Sequence, residues 1–379
     1  MNQFRYKIFT LLPPRAAVDS MNDWQGEDFP LFQTTDNIEE CLAQPYRVAA
    51  VPAMFNQPGS YSYNQTLCSI DWSKFDLVIL SDIEYIEHDT ILTQCINPCN
   101  IKNYVLAVGG VKDRLIDLNV VYRPWWIFQH MRLNSFKPYT SESRPFLFEA
   151  LLGARRVHRS YVMARFCSNP DLLTKSIVTY RQEFGFDGND PSMLLNAEAV
   201  DVIKNNLIWP YVSPNLNSNW EVSDNIRRDI SEITPWEIYN KTYYSICCET
   251  LFQHFDPTKS HDPGPFFITE KIAKVLLGQR LFVLFGPMHT LKFLQELGFK
   301  TFDNVIDESY DNCGDSSLRF KLAFDQVEAL SKLDPEWVLK ETEHIRIHNY
   351  NHLYQYRKDI RNQLHQMILD KIPEQHKFA

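Results

Sequence analysis

FFITEKIAKVLLGQRLFVLFGPMHTLKFLQELGFKTFDNVIDESY, residues 266–310, alternates helix and strand signals in a regular order. Thr269 carries a hydroxyl that can accept from a free N–H of a first helical turn, as an N-cap does. Ile272, Val275, Leu276 and Leu277 recur behind it at helical spacing. Gly278 is expected to stop that helix in the left-handed conformation, where glycine has no Cβ to clash. Leu281 to Phe285 is an unbroken apolar run, the pattern of a parallel strand covered on both faces. Gly286 and Pro287 end it. Leu291 to Leu297 then predict a short helix capped by Gly298, and Lys300 to Phe302 the start of a further strand. Helix, strand, helix, strand is the repeat of a doubly wound α/β sheet.

Glu270 and Lys271 fall in the first turn of the first helix, at its positive end. N–H groups there lack intrahelical partners, so the place suits a phosphate or a sugar hydroxyl. A lysine at that end is mildly unfavourable, and a bound anion would offset it. The plainer reading makes Glu270 an ordinary capping carboxylate and Lys271 a solvated cation.

TEKIAK, then Gly278 and an apolar strand ending in Gly286, resembles the nucleotide-sugar motif of GT-B glycosyltransferases. The similarity is greatest to the fucosyltransferase-like branch with its phage and giant-virus relatives. Two more pieces carry it. Ser245 to Thr250 (SICCET) resembles the segment that ends in a strand-end acid, here Glu249. Phe148 to Arg159 (FEALLGARRVHR) resembles the opening of the donor domain, where a strand turns into a helix with a phosphate-binding arginine. The matching positions run from about residue 145 to about residue 315. The resemblance implies a donor site of Arg159, Glu249, Thr269, Glu270, Lys271 and Lys274. It also implies inversion at the anomeric carbon and a GDP-fucose-like donor.

The residues add their own argument for a diphosphate clamp. Gly153 permits a tight turn, and Arg155, Arg156 and Arg159 follow it on a loop and a helix start. Guanidinium groups fork around phosphate oxygens; the alternative is a solvated basic turn.

A chain of 379 residues is long enough for two domains. Its net charge of −9 argues against a general nucleic-acid binder, which needs a basic surface. No run of about 18 apolar residues suggests a membrane span, and MNQFRYKIFTLLPPR is not expected to act as a leader, because Pro13 and Pro14 break its short apolar run. Eukaryotic fucosyltransferases mostly carry an anchor, so a cytoplasmic enzyme of a bacterium or a virus-infected host is expected. The eight cysteines are scattered and read as reduced thiols; Cys95 and Cys99 form one near pair, and no second pair completes a metal site. No cofactor and no metal is expected beyond the donor itself.

Earlier in the chain, Tyr6 to Leu12, Arg47 to Met54, Phe75 to Leu80 and Tyr104 to Val108 predict strands, with helices over about 37–43 and 83–96. That order suggests a first Rossmann-like domain over 1–140. Asp82 and Glu84, just past the carboxyl end of the third of these strands, are candidates for the base of an inverting transfer; Asp82 alternatively caps a following helix. Trp125 and Trp126 offer flat faces for a core, an interface or an acceptor. Residues 133–144 read as the linker, 145–334 as the donor domain, and 181–240 as carrying a polar insertion. Residues 253–265 form a loop able to close over a donor. A helical segment over 335–379 is expected to cross back onto the first domain, with the face of His344, His348 and His352 lying on it. The predicted architecture is thus α/β, two Rossmann-like domains facing across a cleft.

The leading expectation is transfer of a sugar from a nucleotide diphosphate to a glycan or other hydroxyl acceptor. The alternatives are a GT-B-like module that binds a glycan or nucleotide without turnover, and a phage-type DNA-base glycosyltransferase. The latter must hold a flipped base and a phosphate backbone, which the acidic balance disfavours.

Overall fold

The computed structural model describes residues 6–10, 32–35, 37–52, 69–85, 96–97, 99–110, 119–124, 127–128, 130–131, 134–139, 144–153, 155–180, 191–214, 216, 233–252 and 266–373. The protein is α/β, with two mostly parallel sheets and a long C-terminal helix. It divides into two compact units, Met1–Gln129 with Tyr356–Ala379, and His130–Gln355.

The first unit holds β1 (Tyr6–Thr10), β2 (Phe32–Thr35), α1 (Ile38–Leu42), β3 (Val48–Pro52), β4 (Leu77–Tyr85), β5 (Tyr104–Gly110) and β6 (Val120–Tyr122). All its strand pairs are parallel, in the order β2-β1-β3-β4-β5-β6. Asn37 caps α1, as its short side chain suggests, by accepting from the Glu39 N–H. Val78, Ile79 and Leu80 are buried, which is why this run reads as continuously apolar. β2, with the sequence FQTT, lies in a stretch that reads as polar and irregular.

The second unit contains β7 (Phe146–Leu151), α2 (Val157–Cys167), α3 (Pro170–Thr174), β8 (Ser176–Tyr180), α4 (Pro191–Leu194), α5 (Ala197–Asn206), β9 (Tyr211–Val212), α6 (Trp236–Lys241) and β10 (Thr242–Cys248). It continues with α7 (Glu270–Leu277), β11 (Leu281–Phe285), α8 (Thr290–Glu296), α9 (Ser316–Leu330) and most of α10 (Pro335–Lys371). Its sheet order is β11-β10-β7-β8-β9, parallel except for β8 with β9. Numbered from β7 as first strand, this is 5-4-1-2-3, five strands of the classic doubly wound order 3-2-1-4-5-6 read from the other edge, with the third strand antiparallel. The order reverses between β7 and β10, and the carboxyl ends of those two strands form the topological switch point.

Under the sheet lies Arg280, 2 % exposed. It donates to the carbonyls of Tyr239, Thr242 and Tyr244 and to the hydroxyls of Thr242 and Ser245. One side chain therefore ties α6 to the start of β10. Its charge also opposes the desolvation that raises the buried Glu149 carboxyl on β7.

Several local expectations change. Gly278 does not enter the left-handed region: its φ is −78°, and Gln279 beside it takes φ 48°. Glycine is required at 278 because a Cβ would stand 2.6 Å from the Tyr239 ring and 2.9 Å from the Lys274 carbonyl oxygen. Gly298 does take positive φ, at 93°. Residues 300–302 form no strand. The Lys300 N–H and carbonyl are both taken by the Asn349 side chain, each at 2.8 Å, so the backbone bonds α10 instead of a sheet. His348 and His352 meet the carbonyls of Gly298 and Leu297 in the same turn, at 3.0 and 2.7 Å. These two histidines thus close the end of α8 within the second unit, and the expected face on the first domain gives way. The start of the predicted linker is anchored too. Asn134 and His130 bond Thr234, and Phe136 packs on Trp236 and Tyr350. Within the polar region 181–240 stands α5, an amphipathic helix capped by Asn196. Trp125, Trp126 and the loop over 253–265 lie outside the described residues.

Gly278→Ala should lower stability by about 1–3 kcal/mol through overpacking. Gln279→Gly should be neutral or raise it by up to about 1–2 kcal/mol, since left-handed backbone disfavours a Cβ. Urea denaturation followed by circular dichroism separates the two; the opposite ranking would return the stop signal to Gly278.

Candidate functional site

β10 ends by pairing Cys248 with Phe285, and the Glu249 N–H still reaches the Phe285 carbonyl at 2.9 Å. Glu249 is fully buried, so its carboxylate must be satisfied from within. One oxygen accepts from the Thr269 N–H at 3.1 Å. The other accepts from the Thr269 hydroxyl at 2.6 Å and the Thr250 N–H at 3.1 Å. Burial pushes this carboxyl up from its ordinary value, and Lys271 and the Thr269 bonds oppose that. The strand-end acid thereby fixes where α7 begins.

Thr269 is the N-cap of α7, and its hydroxyl accepts from the Lys271 N–H at 3.4 Å. The Lys271 ammonium turns back over the same point. It donates to the hydroxyls of Thr250 and Thr269 at 3.1 and 3.2 Å and to Glu270 at 2.8 Å. Burial acts against an ionised Glu270, yet Lys271 and Lys274 together bring its carboxyl down to about 2. Lys274, one turn further, is pushed down to about 8 by burial, with Glu270 opposing the shift.

The second arm starts from β7. Gly153 turns the chain at φ 61°, with the Arg159 guanidinium 3.7 Å from where a Cβ would stand. Arg156 is the N-cap residue of α2 but brings no side-chain bond to its first turn. Arg159, 4 % exposed, donates to the Glu249 and Cys248 carbonyls at 3.3 and 3.5 Å. His158 Nε2 lies 2.8 Å from the same Glu249 carbonyl, which can only accept, so this nitrogen carries the proton. The His158 ring rests on Phe252, centroids 4.9 Å apart, and Phe252 packs on Phe320. An aromatic floor therefore holds the imidazole that holds the strand end.

Arg159, from one of the two crossovers that diverge at the switch point, thus bonds the Glu249 carbonyl, and Lys271, from the other, bonds the Thr250 and Thr269 hydroxyls beside it. Gly153, Thr269, Glu270 and Lys274 join them. Arg155 and Arg156 follow the same turn, and both bear on Tyr180 at the end of β8, Arg156 through its backbone. The arrangement gathers two cations, an ionised carboxylate, two hydroxyls and two helix starts at the carboxyl edge of a parallel sheet, the edge where such sheets bind ligands.

Asp82 and Glu84 both lie within β4. The strand continues through Tyr85, so no helix starts after Asp82 and its capping role falls away. Asp82 pairs with Val108 of β5, and the register shifts between Asp82 and Tyr85. Two residues that the sequence reading passed over belong with the site. His158 stands inside the quoted GARRVHR motif, but its partner, the Glu249 carbonyl, lies 91 residues away and no local pattern signals it. Thr250 follows the strand-end acid directly, and that position was its available signal. Among the described residues, no cluster of His, Cys, Asp and Glu has the geometry of a metal site, and no helix is long and apolar enough to cross a membrane.

No protein-family model, curated protein or solved structure matches this chain.

The Glu270 carboxyl makes a prediction about acid. Its folded value of about 2 lies below the ordinary 4.5. Its stabilisation is therefore present above pH 4.5 and is lost as the pH falls toward 2, because the unfolded chain takes up the proton first. Glu270→Gln should cost about 1–3 kcal/mol at neutral pH and flatten that acid limb. Urea midpoints measured across the limb check it; an unaltered slope would mean that Glu270 is not held by its two lysines.

Proposed function

We propose that this chain is a GT-B-type glycosyltransferase, related to the fucosyltransferase-like branch, that moves a sugar from a nucleoside diphosphate to a hydroxyl of a glycan or another acceptor. The observation that supports this reading is that, at the switch point, Arg159 bonds the Glu249 carbonyl while Lys271 bonds the Thr250 and Thr269 hydroxyls, whose residues hold the Glu249 carboxylate. Cations brought there from two separate crossovers match the two phosphates of such a donor. Arg159 and Lys271 belong to two separate pieces of sequence that carry the resemblance, and the fold brings both pieces to the end of β10.

In the proposed reaction an acceptor hydroxyl oxygen attacks the anomeric carbon. The bond from that carbon to the β-phosphate oxygen breaks, and its electron pair leaves on the nucleoside diphosphate. The hydroxyl proton passes to a carboxylate base. Arg159, Lys271 and the start of α7 stabilise the charge that grows on the leaving diphosphate. Glu270, ionised between Lys271 and Lys274, accepts from donor hydroxyls. A single displacement of this kind inverts the anomeric centre. Asp82 and Glu84 are the proposed carboxylates for the proton, on chemical type and position in the strand alone.

A thermal-shift series against GDP, UDP, CDP, dTDP and their sugars tests the reading, because a ligand of the folded state raises the midpoint. One nucleoside diphosphate and its sugar should raise it clearly, GDP-fucose being first expected. Lys271→Ala should abolish that shift. Because it also takes a cation from the mostly buried Glu270, its unliganded midpoint should fall, and the ligand shift is read against each variant's own baseline. Arg159→Lys should weaken binding as well, since a point charge cannot fork around a phosphate. Failure of every nucleotide to shift the wild-type chain would contradict the donor site.

Asp82→Asn or Glu84→Gln should reduce turnover by about 10²-fold or more and spare donor affinity, as read by product formation beside calorimetry. Full turnover in both would remove them from the chemistry.

A further inference from the structure

The same edge of the second sheet carries one more feature. β9 pairs antiparallel with β8, Tyr211 opposite Tyr180 and Val212 opposite Thr179. Trp209, two residues before Tyr211, therefore lies beyond the carboxyl end of β8. The Arg155 guanidinium stands over its indole ring at 4.9 Å from the centroid, and the residue is partly exposed. Arg155 comes from the turn after β7, the turn that also leads to Arg159. Tyr180, at the end of β8, is bonded to Ser160 of α2 at 2.7 Å, so the β8 edge is tied to the same helix.

Along this edge Lys271 follows β10, Arg159 follows β7, Tyr180 closes β8 and Trp209 precedes β9. The boundary of β10 with β7 and that of β8 with β9 are two strand spacings apart, about 10 Å. That is comparable to the reach of a nucleotide from its diphosphate to its base. In a Rossmann fold the pyrophosphate lies at the first βα turn, here the turn after β7 that leads to Arg159, and the ribose is held from about 20 residues further on, on the β8 side.

We infer that Trp209 is a nucleobase platform: an indole held by Arg155 on which the base of a nucleoside diphosphate stacks while its phosphates occupy the start of α7. The inference rests on the donor-site reading above and adds the part of the ligand that reading leaves unplaced. Cation–π contact with Arg155 orients the ring. Stacking on an aromatic face tolerates different bases, because every base has a π face. Trp209 thus supplies affinity for the nucleoside and none for the phosphates.

Isothermal titration calorimetry of the full chain with GDP, UDP and inorganic pyrophosphate separates the parts. Trp209→Ala should weaken GDP and UDP on the order of tenfold or more and leave pyrophosphate unchanged, and Trp209→Phe should restore most of the loss. Trp209→Leu, which keeps apolar bulk without a π face, should behave like the alanine variant and serves if that variant loses its fold. Equal weakening of nucleotide and pyrophosphate would overturn the platform, leaving Trp209 as a brace for Arg155. Unchanged GDP binding in both the Ala and Leu variants would overturn it too. If the wild-type chain binds pyrophosphate and neither nucleotide, the platform alone fails; if it binds none of the three, the donor reading fails with it.

Discussion

A carboxylate buried at the end of a central strand must find its hydrogen bonds inside the protein, and the second unit is built around that demand. Glu249 takes two bonds from Thr269 and one from the Thr250 N–H. Those bonds set the first residue of α7, and with it the direction of Lys271 and Glu270. The carbonyl of Glu249 is held by His158 and Arg159 from the other crossover. One residue therefore registers two helix starts against each other. Removing a partner from such a buried charge costs far more than the bonds it forms contribute.

The same economy of polar groups runs through the interior. Arg280 satisfies the carbonyls where α6 meets β10. Arg319 collects the carbonyls of Phe252, Gly286 and Cys313, joining segments that follow β10 and β11. Burial lowers its guanidinium to about 10, so it remains charged at neutral pH. Asp311 accepts from the N–H groups of Leu291 and Lys292 and so caps α8. Buried arginines and acids here act on backbone at strand and helix ends, where regular ladders leave groups unpaired. Arg319 and Asp311 do so at the carboxyl edge of the sheet, in the segments that follow β10 and β11.

Much of this fold is legible in the sequence. Unbroken apolar runs such as Leu281–Phe285 mark buried parallel strands because both faces of the sheet are covered. The cap at Thr269 is legible because its hydroxyl acts within two residues. The features that escape depend on distant partners. Gly278 answers to Tyr239, and Lys300 answers to Asn349. FQTT becomes a strand through pairing with β1, which its own pattern does not announce. Of the candidate site, the helix-tip residues are read locally, whereas the approach of Arg159 to Glu249 follows from strand order, which no local motif encodes. The pairing of Arg155 with Trp209 escapes for the same reason.

A crystal structure of the chain with the nucleoside diphosphate that raises its thermal midpoint most tests the central claim directly. The two phosphates are expected at the start of α7, with oxygens within hydrogen-bonding distance of Lys271 Nζ and the Arg159 guanidinium. Phosphates seated elsewhere, with Lys271 still closed on Thr250 and Glu270, would contradict that claim.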